Sequence, residues 1–134
     1  MTYIFDSSGI YAMMSRKEYE RFADAFTIYL AKYELGNILW KERYLHKRIG
    51  SAQQKEMADN AEKVFANIEV LGISGYINDV VNLAGNLNIS VYDASYVFFA
   101  MKRNAILVTA DNKLIKKLSG VISAISPVEL LKQS

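Results

Sequence analysis

Short apolar runs of strand-forming residues alternate with helical patterns along this chain, and that alternation leaves few folds open to it. Tyr3-Ile-Phe5 opens the series. The run is continuously apolar rather than alternating, the signature of a strand covered on both faces. It stops on Asp6, and Ser7-Ser8-Gly9 turns the chain into a helical segment over 10–14. A charged, helical surface stretch over 16–21 precedes a second strand over 25–30. Residues 31–48 read as one long helix with a broad apolar face from Tyr33, Leu35, Ile38, Leu39, Trp40 and Tyr44. Gly50 breaks it, and Ser51 is expected to cap the next helix over 52–67, with Met57, Ala61, Val64 and Phe65 facing inward. These two helices are predicted to form a hairpin standing off the sheet. An edge strand over 69–71 follows, then helices over 76–87 and 90–103 and a strand over 105–109. A basic amphipathic helix over 112–118, a last strand over 121–125 and a helix opened by Pro127 complete the pattern. The expectation is a single α/β domain over residues 1–134, its parallel central sheet flanked by helices on both faces.

Composition narrows the chemistry. At 134 residues the chain is long enough for one core and short for two. Its hydrophobic content of 51% argues against disorder, yet no apolar run is long enough to cross a bilayer. No basic stretch with a hydrophobic signal core precedes the first strand, so secretion is not expected. The absence of Cys removes disulfides, thiolate metal sites and thiol nucleophiles, and fits a cytoplasmic protein. One His, His46, argues against a His-based zinc site and a Ser-His-Asp triad; it lies in a basic run and reads as a surface residue. A catalytic metal would have to be held by oxygen, which points to Mg²⁺ or Mn²⁺. The net charge of +2 neither requires nor opposes a nucleic-acid partner.

Most of the 14 acidic residues sit among lysines and arginines on polar helix faces. Four do not. Asp6 and Asp111 follow apolar strands; Glu34 lies between Tyr33 and Leu35, one turn into the helix after the second strand; Asp93 opens the apolar helix at Tyr92-Asp-Ala-Ser-Tyr96. If the first strand and the strand over 105–109 are parallel neighbours, Asp6 and Asp111 emerge at one end of the sheet, where open α/β sheets bind ligands. The helix starts carrying Glu34 and Asp93 can lie at that end too. Clustered carboxylates oppose each other's ionisation, and a divalent cation reverses that cost. Each acid also has an ordinary explanation. Asp6 and Asp111 can be helix N-caps, Asp93 can favour a helix N-terminus, and Glu34 can pair with Lys32 or Lys41.

Phe5-Asp-Ser-Ser8, Tyr33-Glu-Leu35, Val91-Tyr-Asp-Ala-Ser-Tyr96 and Thr109-Ala-Asp-Asn-Lys-Leu114 resemble the four acidic motifs of PIN-domain ribonucleases. The length resembles that of the VapC-type toxins of toxin–antitoxin operons. The likeness runs from residue 2 to about residue 130, and the order and separation of the motifs carry it rather than any one of them. It implies a parallel sheet of about five strands, a homodimer, and Asp6, Glu34, Asp93 and Asp111 as the metal-binding and catalytic residues. Ser8 and Thr109 would be supporting polar residues. Many family members carry a further acid just after the last motif; here Asn112 stands closest, a neutral amide that binds a cation more weakly.

The expected activity is Mg²⁺-dependent hydrolysis of RNA phosphodiester bonds, with a small antitoxin protein as partner. Metal chemistry of this kind needs no side-chain nucleophile, which suits a chain with one His and no Cys. Lys41, Arg43, Lys47 and Arg48, then Lys102 and Arg103, then Lys113, Lys116 and Lys117 are candidates for a phosphate track, or else solvated helix faces. Trp40 and Tyr44, a turn apart, can stack on bases, grip a partner helix, or belong to the core or a dimer interface. The alternative function is a PIN-fold binding or RNA-processing subunit that cleaves weakly or not at all and acts through protein partners. A receiver-like phosphotransfer domain expects paired acids after the first strand, where Ser7-Ser8 stands. A haloacid-dehalogenase-type phosphatase expects an acid at the position of Ser8.

Overall fold

Ile4, Phe5, Leu107 and Val108 have no exposed surface, because the strands that carry them lie side by side at the centre of the sheet. The computed structural model describes residues 1–133. Its strands are β1 (Tyr3–Phe5), β2 (Ala25–Ile28), β3 (Glu69–Leu71), β4 (Ile106–Val108) and β5 (Ala124–Ile125). They form one sheet in the order β3-β2-β1-β4-β5, and every pairing is parallel. The α-helices are α1 (Ser7–Ser15), α2 (Leu30–Trp40), α3 (Ser51–Asn67), α4 (Ile77–Leu87), α5 (Val91–Arg103), α6 (Asn112–Lys117) and α7 (Pro127–Leu131). Parallel neighbours require such crossovers. α1 packs against α2, α3 and α7, whereas α5 lies across β1, β2 and β4 with α4 against it. This is the single α/β domain that the strand–helix alternation predicts. No helix among the described residues is long and apolar enough to cross a membrane.

The strand order creates the one place where a ligand site is expected. From β1 the chain steps outward to β2 and β3, then returns through α4 and α5 to β4 on the other side of β1. The switch point therefore falls between β1 and β4, and the crevice of a doubly wound sheet opens at the carboxyl ends of those strands. Two contacts close this junction tightly. The buried Thr27 hydroxyl donates to the Phe5 carbonyl at 2.6 Å, tying β2 to the end of β1. Gly9 presses the start of α1 against β4, where a Cβ would stand 2.6 Å from the Val108 carbonyl oxygen. Backbone cannot yield as a flexible side chain can, so Gly9→Ala is expected to cost about 1–3 kcal/mol in a denaturant melt. An unchanged midpoint would show that α1 is not seated on β4 in this way.

Four local expectations need correction. The helix expected over 31–48 ends at Trp40, and Lys41–Leu45 form a π turn. None of these five residues is buried, so little core packing favours the α conformation there. Ser51 is the first residue of α3 rather than its cap: the Gly50 carbonyl accepts from the Gln54 N–H at 2.9 Å, and no side chain caps the helix. The last strand is only Ala124–Ile125, because the Val121 and Ile122 N–H groups turn back to the Leu118 carbonyl and Gly120 takes a positive φ of 82°. The charged stretch over 16–21 is helical only from Tyr19, as a 3₁₀ turn, after Lys17 adopts a φ of 57°.

Candidate active site

Asp6 ends β1 and starts α1. Its Oδ1 accepts from the Gly9 N–H at 2.8 Å and from the Ser8 hydroxyl at 2.7 Å. It is thus an N-cap, but a capping role does not explain the rest of its setting. Burial pushes its carboxyl above the usual Asp value, against the hydrogen bonds of Thr109, Gly9 and Ser8, which favour the charged form; the Asp93 charge adds to the rise. Asp111 stands three residues beyond β4 and caps α6, its Oδ1 accepting from the Leu114 N–H at 3.1 Å. The two strand-end acids are stitched together by the polar residues between them. The Ala110 N–H donates to the Ser8 hydroxyl at 2.9 Å, and the Asp111 N–H donates to the Thr109 hydroxyl at 3.2 Å. Asn112 is the first residue of α6 and is exposed.

The helix acids reach the same end. Glu34 projects from α2 and accepts from the buried Tyr96 hydroxyl at 2.7 Å. Burial again raises its carboxyl, the Tyr96 hydrogen bond opposes the rise, and the charges of Asp6 and Asp93 add to it. Asp93 lies in the first turn of α5, where the Ser90 hydroxyl accepts from its N–H at 3.0 Å. Its carboxyl is raised by burial and then by Asp111. Asp6 feels the Asp93 charge, Glu34 feels Asp6 and Asp93, and Asp93 feels Asp111, so these strand ends and helix starts lie at one end of the sheet within electrostatic range. Neither Lys32 nor Lys41 pairs with Glu34; among the described residues none of the four acids has an ion-pair partner.

Tyr96 is the residue that reading the sequence missed. Burial raises its hydroxyl far above the ordinary Tyr range, the Glu34 hydrogen bond adds to that, and the Ser7 backbone N–H opposes it. It stays neutral and donates to Glu34, linking α5 to α2. The only sequence signal was a Tyr one turn after Asp93 on an otherwise apolar helix face, where an aromatic is ordinarily core.

The donor set fits a hard divalent cation: it is all oxygen, partly desolvated and short of cationic partners. As the side chains stand, no three His, Asp or Glu groups among the described residues are close enough to hold a metal ion. The carboxylates are within electrostatic range of one another and short of coordination range. A cavity of about 420 Å³, lined by Tyr19, Phe22, Val64 and Ile68, lies instead near the amino-terminal ends of β2 and β3, away from these acids.

Comparison with known proteins gives a consistent picture. No family model matches the chain. It is 31% identical over 125 residues to the exonuclease VapC9 of Pyrobaculum aerophilum, covering 90% of this chain and 88% of that protein. It is 29% identical over 134 residues to the ribonuclease VapC3 of the same organism, covering 92% and 99%. Among solved structures, the crystal structure of PAE2754 from Pyrobaculum aerophilum superposes with a TM-score of 0.78 at 28% identity, over 99% of this chain and 96% of that one. A chain of a toxin–antitoxin complex from Klebsiella pneumoniae superposes with a TM-score of 0.63 over 94% and 98%; at 14% identity this likeness concerns the fold alone.

Proposed function

Because the chain belongs to the VapC family of PIN-domain proteins, we propose that it is a metal-dependent ribonuclease, the toxin of a toxin–antitoxin pair, with Asp6, Glu34, Asp93 and Asp111 as its catalytic carboxylates. The observation that carries this reading is the placing of Asp6 and Asp111 at the β1/β4 switch point, with Asp93 acting on Asp6 and Glu34 and itself acted on by Asp111, and with no ion-pair partner for any of the four among the described residues. Mg²⁺ is the expected ion and Mn²⁺ a substitute. When bound, such an ion activates a water, orients the scissile phosphate and offsets the charge developing on it.

The protein's own part is to hold the ligands and limit water. Ser8 and the Gly9 N–H fix the orientation of Asp6, and Tyr96 fixes that of Glu34. Desolvation of these carboxylates strengthens their pull on a cation relative to fully hydrated acids. Asp6 and Asp93 are the tightest ligands in this scheme; Glu34 and Asp111 complete the shell, and Asn112 stands where a further acid would help hold a second ion. A small antitoxin and a cytoplasmic setting belong to the same reading. So does a homodimer, supported by Ile77 and Val81, one turn apart on α4 and 60% and 47% exposed. One observation favours the alternative, a PIN-fold partner-binding subunit with little cleavage: the carboxylates as they stand are too far apart to enclose an ion.

The test is end-labelled, unstructured RNA incubated with the purified protein freed of any copurifying partner. Cleavage should appear in Mg²⁺, stop when EDTA is added and return when the metal is restored. RNA left intact in both Mg²⁺ and Mn²⁺ sinks the nuclease reading and leaves the binding subunit.

A further inference from the structure

Four exposed aromatics lie along one line of the protein. Tyr29, at the carboxyl end of β2, is 55% exposed; Tyr33 is 80%, Trp40 47% and Tyr44 52% exposed. Their spacings of four, seven and four residues are those of a single helical stripe, with Asn37 filling the turn between Tyr33 and Trp40. The stripe runs about 22 Å along α2 and the π turn. The buried residues of α2, Ala31, Leu35 and Leu39, occupy the opposite face. Neither Trp40 nor Tyr44 is therefore core. Glu34 follows Tyr33 directly, so one end of the stripe lies beside the acidic site.

The charges along this stripe say what it faces. Residues 40–48 carry four cations, Lys41, Arg43, Lys47 and Arg48, against a single acid, Glu42, which Arg48 pairs at 3.2 Å. The Arg43 guanidinium sits 4.7 Å from the centre of the Tyr44 ring while donating to Gln54 Oε1 at 2.7 Å, so the ring and the charge are held together. At the other end, Lys32 Nζ lies 5.4 Å from the Tyr29 ring. Aromatics with arginine occur at protein interfaces as well, but lysine is depleted there. Rings set among lysines and arginines are what an unpaired nucleic-acid strand requires, flat faces for its bases and cations for its phosphates. Elsewhere, Arg103 pairs with Glu69, Lys102 sits over the Tyr76 ring, and Lys117 donates to the Asn88 carbonyl.

We propose that Tyr29, Tyr33, Trp40 and Tyr44 form a stacking track for single-stranded RNA, with Lys41, Arg43 and Lys47 on its phosphates, which delivers unpaired RNA to the carboxylate site. The claim rests on the nuclease reading for what happens at the end of the track, but the track itself can be tested apart from cleavage. A duplex keeps its bases stacked inside and offers the rings nothing, so the track selects unpaired strands.

Trp40 is the only Trp in the chain and reports on its own contact. The protein in EDTA is titrated with an unstructured RNA of about a dozen nucleotides and with the matching duplex, following Trp emission and the anisotropy of labelled RNA. Single-stranded RNA should quench Trp40, and duplex should not. Trp40→Ala and Tyr44→Ala should each weaken single-strand binding about tenfold, while Trp40→Phe, which keeps a flat ring, retains most of it. Binding with Trp40 emission unmoved and both alanine variants at wild-type affinity overturns the track. So does a Trp40→Ala variant that splits a dimer in gel filtration yet binds RNA normally, since the stripe is then a contact between copies. Ring-dependent binding without cleavage in any metal keeps the track and removes the nuclease. Cleavage and binding indifferent to the rings do the reverse.

Discussion

Asp6→Asn is expected to lose at least about a hundredfold of the RNA cleavage rate in Mg²⁺, a barrier increase of roughly 2.7 kcal/mol or more, while its fold and melting temperature hold. The two halves of this expectation have separate causes. An amide carries no charge, so it contributes little to holding or offsetting a divalent ion. As a cap it is nearly as good as the acid, since its side-chain oxygen can still accept from the Gly9 N–H. Asn also has no charge to desolvate at a site where burial already opposes ionisation. The metal-free variant should therefore melt no lower than wild type. A variant that cuts RNA at the wild-type rate removes Asp6 from the mechanism. One that loses activity together with its cooperative melt assigns Asp6 a structural role instead.

Thermal melting against pH and metal gives the second large effect. Asp6, Glu34 and Asp93 all have carboxyls raised above their ordinary values of 3.8 for Asp and 4.5 for Glu, in each case chiefly by burial. A group raised in the folded state binds its proton more tightly there than in the unfolded chain. Its contribution to stability is fully present below the ordinary value and is lost as the pH rises through the elevated one. The metal-free protein should thus lose stability from these groups as the pH climbs from about 4 toward neutrality. A bound divalent ion offsets the same charges, so Mg²⁺ should raise the melting temperature most near neutral pH and least in acid. At a hundredfold excess over the dissociation constant the gain is about 2.7 kcal/mol, which for a domain of this size is a shift of several degrees. Asp93→Asn should abolish the metal-dependent shift. A wild-type melt indifferent to Mg²⁺ and Mn²⁺ across this range removes the metal site.

Much of this was open to reading because it is local. An apolar run that ends on Asp6, another that ends near Asp111, and the helical spacings between them are written in contiguous residues. The α/β architecture with a parallel sheet follows from their alternation. The four acids stood out by their neighbours, apolar where other carboxylates have lysine and arginine. Local patterns misled where backbone closure decided the matter. Ser51 looks like a cap, but the Gly50 carbonyl takes the first helical bond; 121–125 looks like a strand, but Leu118 and Gly120 turn its first half away. The apolar spacing over 31–48 could not say that Lys41–Leu45 would leave the α conformation, a segment in which no residue is buried.

By itself, then, the order of residues determined that acids would follow buried strands in a layered α/β domain, because burial of an apolar run and the turn that ends it involve only neighbours along the chain. Tertiary structure alone decided which strands adjoin and what each long-range partner would be. Tyr96 and Glu34 are 62 residues apart, Ser8 and Ala110 are 102 apart, and they meet only because β1 lies between β2 and β4. The same holds for Trp40 and Tyr44. Their spacing permits either core or surface, and only the packing of Leu35 and Leu39 against the rest of the molecule turns those rings outward.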